Sequence, residues 1–483
     1  MRFSNLALPL LAAATLAACG GKDSTPTEPT VLVTPPVVAK PTPTNVIFFL
    51  GDGMGIATTT AARIYSVGED GELTMDTLPE TGFVKTFSND AQVTDSAPSM
   101  SAYMTGVKMN NEVISMSQET QAKSPNADFT GNCGSANGTP VTTLLELAKA
   151  AGRGTGVVTT TRVTHATPAA TYSHVCHRDA ESDIAAAMVP GGKGYNDKLA
   201  DGIDVVLGGG KQFFVTTDAG GKRADKRDLT AELKTAGYTV ATDRAGFDAI
   251  DASKAGKFVG LFTSGHMSYD LDRDATKEPS LAEMTLKAIQ RLQQNEKGFF
   301  LMVEGGRIDH ALHETTAKKA LQDTIAFDNA IKAALDEIKK TDPTLKNTLI
   351  VVTADHDHTL VLNGYAKRTG KSSATNPGVL GLLRNYGDGS IAKDADGKPF
   401  TIIGFGNGEN RPAGNRNTFA DLTDDVVFAS TYHQEAAVRM GAGSETHGGT
   451  DVFIGATGKG AESFGGFVEN IAVFGLVKAA AGL

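Results

Sequence analysis

No long run of lysine or arginine occurs in this 483-residue chain, and acids outnumber bases, 55 to 45. A nucleic-acid-binding surface, which needs a concentrated basic patch, is therefore not evident. No apolar stretch reaches the ~20 residues that a membrane-spanning helix needs. The run from Leu6 to about Ala18, inside MRFSNLALPLLAAATLAAC, is too short to span. With Arg2 ahead of it, residues 1–18 read as a secretion signal. Cysteine is scarce: the chain has three, Cys19, Cys133 and Cys176. No internal repeat is present.

Leu16-Ala17-Ala18-Cys19 resembles the bacterial lipobox, in which the cysteine becomes the lipidated first residue; an ordinary signal with a chance cysteine is the other reading. Residues 19–44 then form a tether holding six of the 18 prolines, a composition that cannot pack a core. Lipidated Cys19 and tether together imply a membrane anchor in a bacterial cell envelope, as a periplasm-facing or surface lipoprotein. In such an oxidising compartment Cys133 and Cys176 most simply pair, two buried free thiols being the alternative. The closed loop would contribute roughly 4 kcal/mol on the chain-entropy account.

What the chain does have is a large apolar content, 40%, enough for a sizeable core. From residue 45, short apolar runs alternate with helical stretches. NVIFFL (45–50), GVVTTT (156–161), DVVLGGG (204–210), FVGLFT (258–263), FFLMVE (299–304), NTLIVVTAD (347–355) and VFIGATG (452–458) read as strands. Residues 143–152, 281–293, 315–340 and 466–481 read as helices. This alternation predicts an α/β fold, a large and mostly parallel sheet sandwiched by helices. Residues 361–445, rich in Gly, Asn and Arg, interrupt it and read as an inserted region; 107–140 and 211–257 read as smaller excursions.

Three predicted strands end in an acid, at Asp52, Glu304 and Asp355, and ligands of open parallel sheets bind beyond such ends. Each acid alone is more often a cap or turn former. The ten histidines sharpen the pattern. His356 follows Asp355, and His358 lies two residues on. Asp309 and His313 are four apart at a helix start, so they share a face. His447 stands in the Gly-rich stretch SETHGGTD. Imidazole with carboxylate is a zinc ligand set, and these groups imply more than one metal site, a solvated surface cluster being the bland alternative.

The stretch VTDSAPSMSAYMTG (93–106) offers five serine and threonine hydroxyls, with Asp95 the only acid among them. No His or Lys is near along the chain to take a proton, so it is either a nucleophile site without a base or a small-residue helix start.

LGDGMG, TDSAPS, TTTRVTHATPAATYSHVCHR, VEGGRIDHALHE, TADHDH and ETHGGTD stand in the order and approximate spacing of alkaline phosphatases. The chain resembles that family over roughly residues 45–483, and the wording of VTTTRVTHATPA and VEGGRIDHALHE is similar to its animal-type branch. The resemblance implies an alkaline-phosphatase-like catalytic domain with a crown-like insertion at about 361–445. It implies hydrolysis of small phosphate monoesters through a phosphoserine, two Zn²⁺ and one Mg²⁺ per chain, and a possible homodimer. Ser96 would be the nucleophile, its missing base replaced by a metal. Asp309, His313 and His447 would hold one zinc; Asp52, Asp355 and His356 would hold the other, with Ser96 as its exchangeable ligand. Asp52, Thr167 and Glu304 would hold Mg²⁺, and His358 would orient a zinc carboxylate. Arg178 would clamp two phosphoryl oxygens. His165 and His310 stand where many bacterial members carry an acid and a lysine, and would lie near the third metal and the phosphate. A sulfatase or phosphodiesterase of the same superfamily is the enzymatic alternative, and a non-catalytic metal- or phosphate-binding lipoprotein the other. Ser96-Ala97-Pro98 lacks the following arginine of sulfatases, and Glu304 with Thr167 argues for a third metal that phosphodiesterases lack.

Overall fold

Residues 44–254, 256–411 and 413–483 are described by the computed structural model. The secretion signal, Cys19 and nearly all of the tether lie outside them.

Continuous apolar runs that suit strands buried on both faces build the centre of a ten-stranded sheet. In spatial order its strands are Gly466–Glu469, Glu80–Lys85, Val452–Gly458, Thr348–Ala354, Asn45–Gly51, Phe299–Gly305, Gly154–Arg162, Val205–Gly209, Lys257–Leu261 and Tyr238–Ala241. Val452–Gly458 runs antiparallel to both its neighbours; every other pairing is parallel.

Helices cover both faces, and two consecutive phenylalanines show why. Side chains alternate across a strand. Phe48 meets Tyr103 of helix Ser96–Thr105, centroids 5.6 Å apart, while Phe49 meets Phe327 of helix Ala317–Ile338 at 5.9 Å. All four are fully buried. Capping boxes start two further helices, Thr143 with Glu146 before Leu144–Ala150 and Ser280 with Glu283 before Leu281–Leu292.

The large mixed sheet flanked by helices agrees with the α/β reading, with three differences. Residues 466–481 are not one helix: Gly466–Glu469 pairs with Glu80–Lys85 as an edge strand, and the helix is Asn470–Ala481. Glu80–Lys85 itself alternates exposed and buried residues, so it lacks the continuous apolar run of the central strands. Residues 211–257 are not a mere excursion, since helix Leu229–Thr235 leads into Tyr238–Ala241, the far edge of the sheet.

Between residues 360 and 439 a separate three-stranded sheet forms from Leu360–Leu362, Ile403–Gly408 and Ala436–Arg439. Asp357–His358 pairs antiparallel with His447–Gly448 where this segment leaves and rejoins the main body. Cys133 and Cys176 form a disulfide, joining the 107–140 excursion to the segment that carries Arg178.

Candidate active site

Parallel register brings the three strand-end acids to one edge. Gly51 lies opposite both Gly305 and Ala354, and Leu50 opposite Glu304, so Asp52, Glu304 and Asp355 leave three adjacent strands side by side. All three are fully buried. Gly53 turns the chain with φ +66°, donates its N–H to Asp355 Oδ1 at 3.0 Å, and a Cβ there would lie 2.5 Å from the His358 ring.

Ser96 opens the helix Ser96–Thr105, capped by Asp95, whose carboxylate accepts from Ala97 N at 2.8 Å. Ser96 Oγ lies 3.3 Å from Asp52 Oδ1 and 3.2 Å from His356 Nε2. An imidazole absent from the neighbouring sequence thus reaches Ser96 from 260 residues away, as one of the candidate metal ligands. Ser99 and Ser101 are buried supports: Ser99 Oγ donates to the Asp355 carbonyl at 2.7 Å, and Ser101 Oγ accepts from Ser115 N.

Two sets of side chains flank this hydroxyl. In one, Asp52 Oδ1 and Asp355 Oδ2 lie 3.4 and 3.5 Å from His356 Nε2. In the other, Asp309 Oδ1 lies 3.3 Å from His313 Nε2 and 3.5 Å from His447 Nε2, and those two nitrogens are 3.2 Å apart. His358 Nε2 meets Asp309 Oδ1 at 2.8 Å. A third group joins Asp52, His165 and Glu304, each offering a ligand atom within 4.8 Å of the others. Thr159 and Thr161 hydroxyls donate to Glu304 Oε2. Thr167 is buried on the short helix Ala166–Ala169.

The imidazoles are oriented from behind. His447 Nδ1 faces the Thr94 carbonyl at 2.8 Å, His356 Nδ1 the Asp357 carbonyl at 3.2 Å, and His313 Nδ1 the Glu445 carbonyl. Each ring thereby turns Nε2 toward the cluster, as metal-ligating histidines do when their other nitrogen is held by a carbonyl. Glu445 was not singled out from the sequence, although it stands two residues before His447. Nor was His266, whose ring lies 4.2 Å from His310 and 5.2 Å from His165.

Arg178 stands beside Ser96. Its Nη1 donates to Asp95 Oδ1 at 2.9 Å and its Nη2 to His165 Nε2 at 3.0 Å. His165 and His310 have ring centroids 5.4 Å apart, so both flank the guanidinium's side of the site.

Burial crowds these groups into abnormal protonation. Burial, then repulsion from Asp309 and Glu304, raises Asp52 well above the carboxyl range. Burial raises Glu304 to about 7 against the opposing Thr159 bond, and raises Asp355 to about 7 with help from Asp52. Burial also lowers His356, and takes His447 to about 4 and His310 to about 3. Burial alone would lower His358, but its bonds to Asp309 and Glu445 lift it to about 10.

Do these residues fit metal ions? Asp52 Oδ2, Glu304 Oε1 and Asp355 Oδ2 are buried and make no hydrogen bond. Orphaned buried carboxylate oxygens beside neutral imidazoles are what divalent cations would satisfy. Asp309, His313 and His447 offer two imidazoles to one carboxylate, a zinc-type set, whereas Asp52, Asp355 and His356 and the group Asp52, Glu304 and His165 each offer two carboxylates to one imidazole.

The sequence model of the family described as alkaline phosphatase matches residues 43–483. The tissue-nonspecific alkaline phosphatase of Gallus gallus is 39% identical over 444 residues, covering 86% of this chain and 80% of the relative. An alkaline phosphatase of Gadus morhua is 38% identical, covering 86% of each. Among solved structures, a histidine-to-aspartate variant of the alkaline phosphatase from TAB5, with Mg bound in its M3 site, aligns at TM-score 0.62 and 25% identity. That alignment covers 92% of this chain and 99% of the other.

Proposed function

The chain belongs to the alkaline phosphatase family and is a phosphate monoester hydrolase, and from that premise we propose that Ser96 carries the phosphoryl group as a covalent intermediate. The supporting observation is the position of Ser96 Oγ, 3.2 Å from His356 Nε2 and 3.3 Å from Asp52 Oδ1, at a helix start whose capping residue, Asp95, holds Arg178.

The residues divide the work. Arg178, held by Asp95, presents its planar fork to two phosphoryl oxygens. Asp95 takes the Ala97 N–H and Pro98 has none, so at the start of helix Ser96–Thr105 it is the positive dipole end that favours a phosphoryl group. Ser96 Oγ bonds to phosphorus as the ester P–O bond breaks, and the alcohol leaves. Water then attacks the phosphoserine, which frees Ser96 and releases inorganic phosphate.

Asp309, His313 and His447 would hold one Zn²⁺, Asp52, Asp355 and His356 a second, and Asp52, Thr167 and Glu304 an Mg²⁺. Bound there, the ions would supply Lewis acidity that lowers the pKa of the Ser96 hydroxyl and of water and offsets phosphoryl charge. His358 orients Asp309, and His165 and His310 face the phosphate side near Arg178.

The domain reading extends to a signal at 1–18, lipidated Cys19 and tether at 19–44, a catalytic domain at 45–483 and an insertion at 361–445. We place the protein, as a possible homodimer, on the envelope through its lipid. Among the described residues no helix is long and apolar enough to cross a membrane. Cys19→Ala should therefore release the protein from the membrane fraction without changing turnover; equal membrane association would refute the anchor.

The central experiment is acid quenching during turnover of a labelled aryl phosphate. The label should sit on Ser96, and Ser96→Ala should lose it, with kcat down on the order of 10³-fold or more and the fold intact. Label elsewhere, or wild-type turnover in Ser96→Ala, would overturn the assignment.

A further inference from the structure

We propose that Glu445 is a positioning residue that fixes the Asp309, His313 and His447 set through two of its own groups at once. The inference rests on the zinc reading above and deepens it.

Glu445 is buried, though its neighbours Ser444 and Thr446 are exposed. Its backbone carbonyl receives His313 Nδ1, and its own N–H donates to the His313 carbonyl at 3.2 Å. Its carboxylate Oε2 receives His358 Nδ1 at 2.5 Å. The far nitrogen of the same ring, His358 Nε2, meets Asp309 Oδ1 at 2.8 Å. One residue thus orients a ligating imidazole directly and a ligating carboxylate through one ring. The other imidazoles of the centre, His356 and His447, each rest on a single main-chain carbonyl.

The remaining oxygen ties Glu445 to the fold. Oε1 accepts from Thr359 N at 2.8 Å and from the Thr359 hydroxyl. Thr359 stands where the 360–439 segment departs, and Glu445 where it returns, beside the pairing of His358 with His447. The carboxylate is therefore saturated by donors from two directions. An amide in its place keeps one acceptor oxygen for the two sides and no charge, so even where that oxygen stays on His358 the bond that holds the ring is weakened. A displaced His358 releases Asp309, and loss of a group that holds a metal ligand in place typically weakens metal affinity by about 10–100-fold.

A clasp that merely closes the neck of the segment would make Thr359 as important as Glu445. Glu445→Gln, Thr359→Val and the exposed-site control Ser444→Ala should be compared as full-length zinc-loaded enzymes. Zinc release to a chromogenic chelator and the absorption bands of the Co²⁺-substituted proteins give readouts independent of turnover. In Glu445→Gln one zinc should leave about 10–100-fold more readily. The Co²⁺ bands should shift, kcat should fall with KM within about twofold, and added Zn²⁺ should restore rate. Thr359→Val should hold zinc within about threefold of wild type, and Ser444→Ala should match it. Wild-type zinc affinity and spectra in Glu445→Gln, or equal losses in Thr359→Val, would overturn the positioning role alone. A wild-type protein that takes up no zinc would instead overturn the metal reading, and this inference with it.

Discussion

Asp95 caps the helix that begins at Ser96 and, with the same carboxylate, receives Arg178 Nη1 at 2.9 Å. Nucleophile and clamp are therefore set by one side chain. Glu112 N donates to the other oxygen of Asp95, so the carboxylate itself is fixed. Asp95→Ala should remove a cap, costing about 1 kcal/mol of stability. It should also free the guanidinium, so KM for monoesters and the inhibition constant for phosphate should both rise, roughly tenfold for a loss of about 1.4 kcal/mol. Melting temperature and phosphate inhibition measured on the same preparation check this; a stability loss without weaker phosphate binding would leave the cap and refute the link to Arg178.

The disulfide acts on the same clamp from the other side. Cys176 lies two residues before Arg178, whose N–H donates to the Glu112 carbonyl at 2.8 Å, and Cys133 anchors the excursion that carries Glu112. Replacing both cysteines with serine should cost about 4 kcal/mol, from a loop of 43 residues. KM should rise more than kcat falls. An unchanged KM in a variant with lowered melting temperature would show that the bond stabilises without steering Arg178.

Removing the metals should give the protein an unusual pH profile. Histidines whose pKa is lowered by burial, His310 to about 3 and His447 to about 4, are neutral when folded. They make the folded state more stable as pH rises to about 6.5, their unfolded value. Carboxyls raised by burial act oppositely: Glu304 and Asp355, at about 7, keep protons that the unfolded chain has lost. His358, lifted to about 10, continues that loss. From about pH 4 to 6.5 these gains and losses oppose one another, and above about pH 7 the loss falls chiefly to His358, so metal-free protein should lose stability from about pH 7 to 10, by up to about 1.4 kcal/mol per pH unit. Metals displace these protons, so Zn²⁺ with Mg²⁺ should raise the melting temperature more at pH about 8 than at about 6. Calorimetry after chelation, with elemental analysis, tests it; a metal-free protein that gains stability above neutral pH would contradict it.

Much of this centre was legible because its residues sit on strong local signals. Asp52, Glu304 and Asp355 close apolar runs, and parallel pairing turns three sequence ends into one edge. Asp309 and His313 are four apart on one helix. The supports were not legible. Glu445 works through its carboxylate and its carbonyl, and a carbonyl carries no sequence signature. His266 reaches His310 only through tertiary packing. The edge strand Gly466–Glu469 runs directly into the apolar helix behind it, so its boundary is set by pairing with Glu80–Lys85 rather than by its own pattern.

His165 and His310 separate the two anionic parts of the chemistry. His165 lies in the group formed with Asp52 and Glu304 and its Nε2 accepts from Arg178 Nη2; a neutral imidazole has one acceptor nitrogen, so it serves either the guanidinium or a cation. Imidazole there is a softer donor than carboxylate, so His165→Asp should raise affinity for Mg²⁺ relative to softer ions. It should also give Arg178 an anionic partner, which competes with phosphate for the guanidinium. His310 is neutral, burial holding its pKa to about 3, and its Nδ1 makes no hydrogen bond. His310→Lys adds a fixed positive charge on the phosphate side. Phosphate should then bind more tightly and leave more slowly, lowering kcat where release limits turnover. The two variants should thus move in different coordinates: Mg²⁺ activation shifts in His165→Asp, and the inhibition constant for phosphate falls in His310→Lys. Both quantities are titrated in both variants. Unchanged values throughout would mean that neither imidazole faces the reacting group, and that Arg178 alone governs that side of the site.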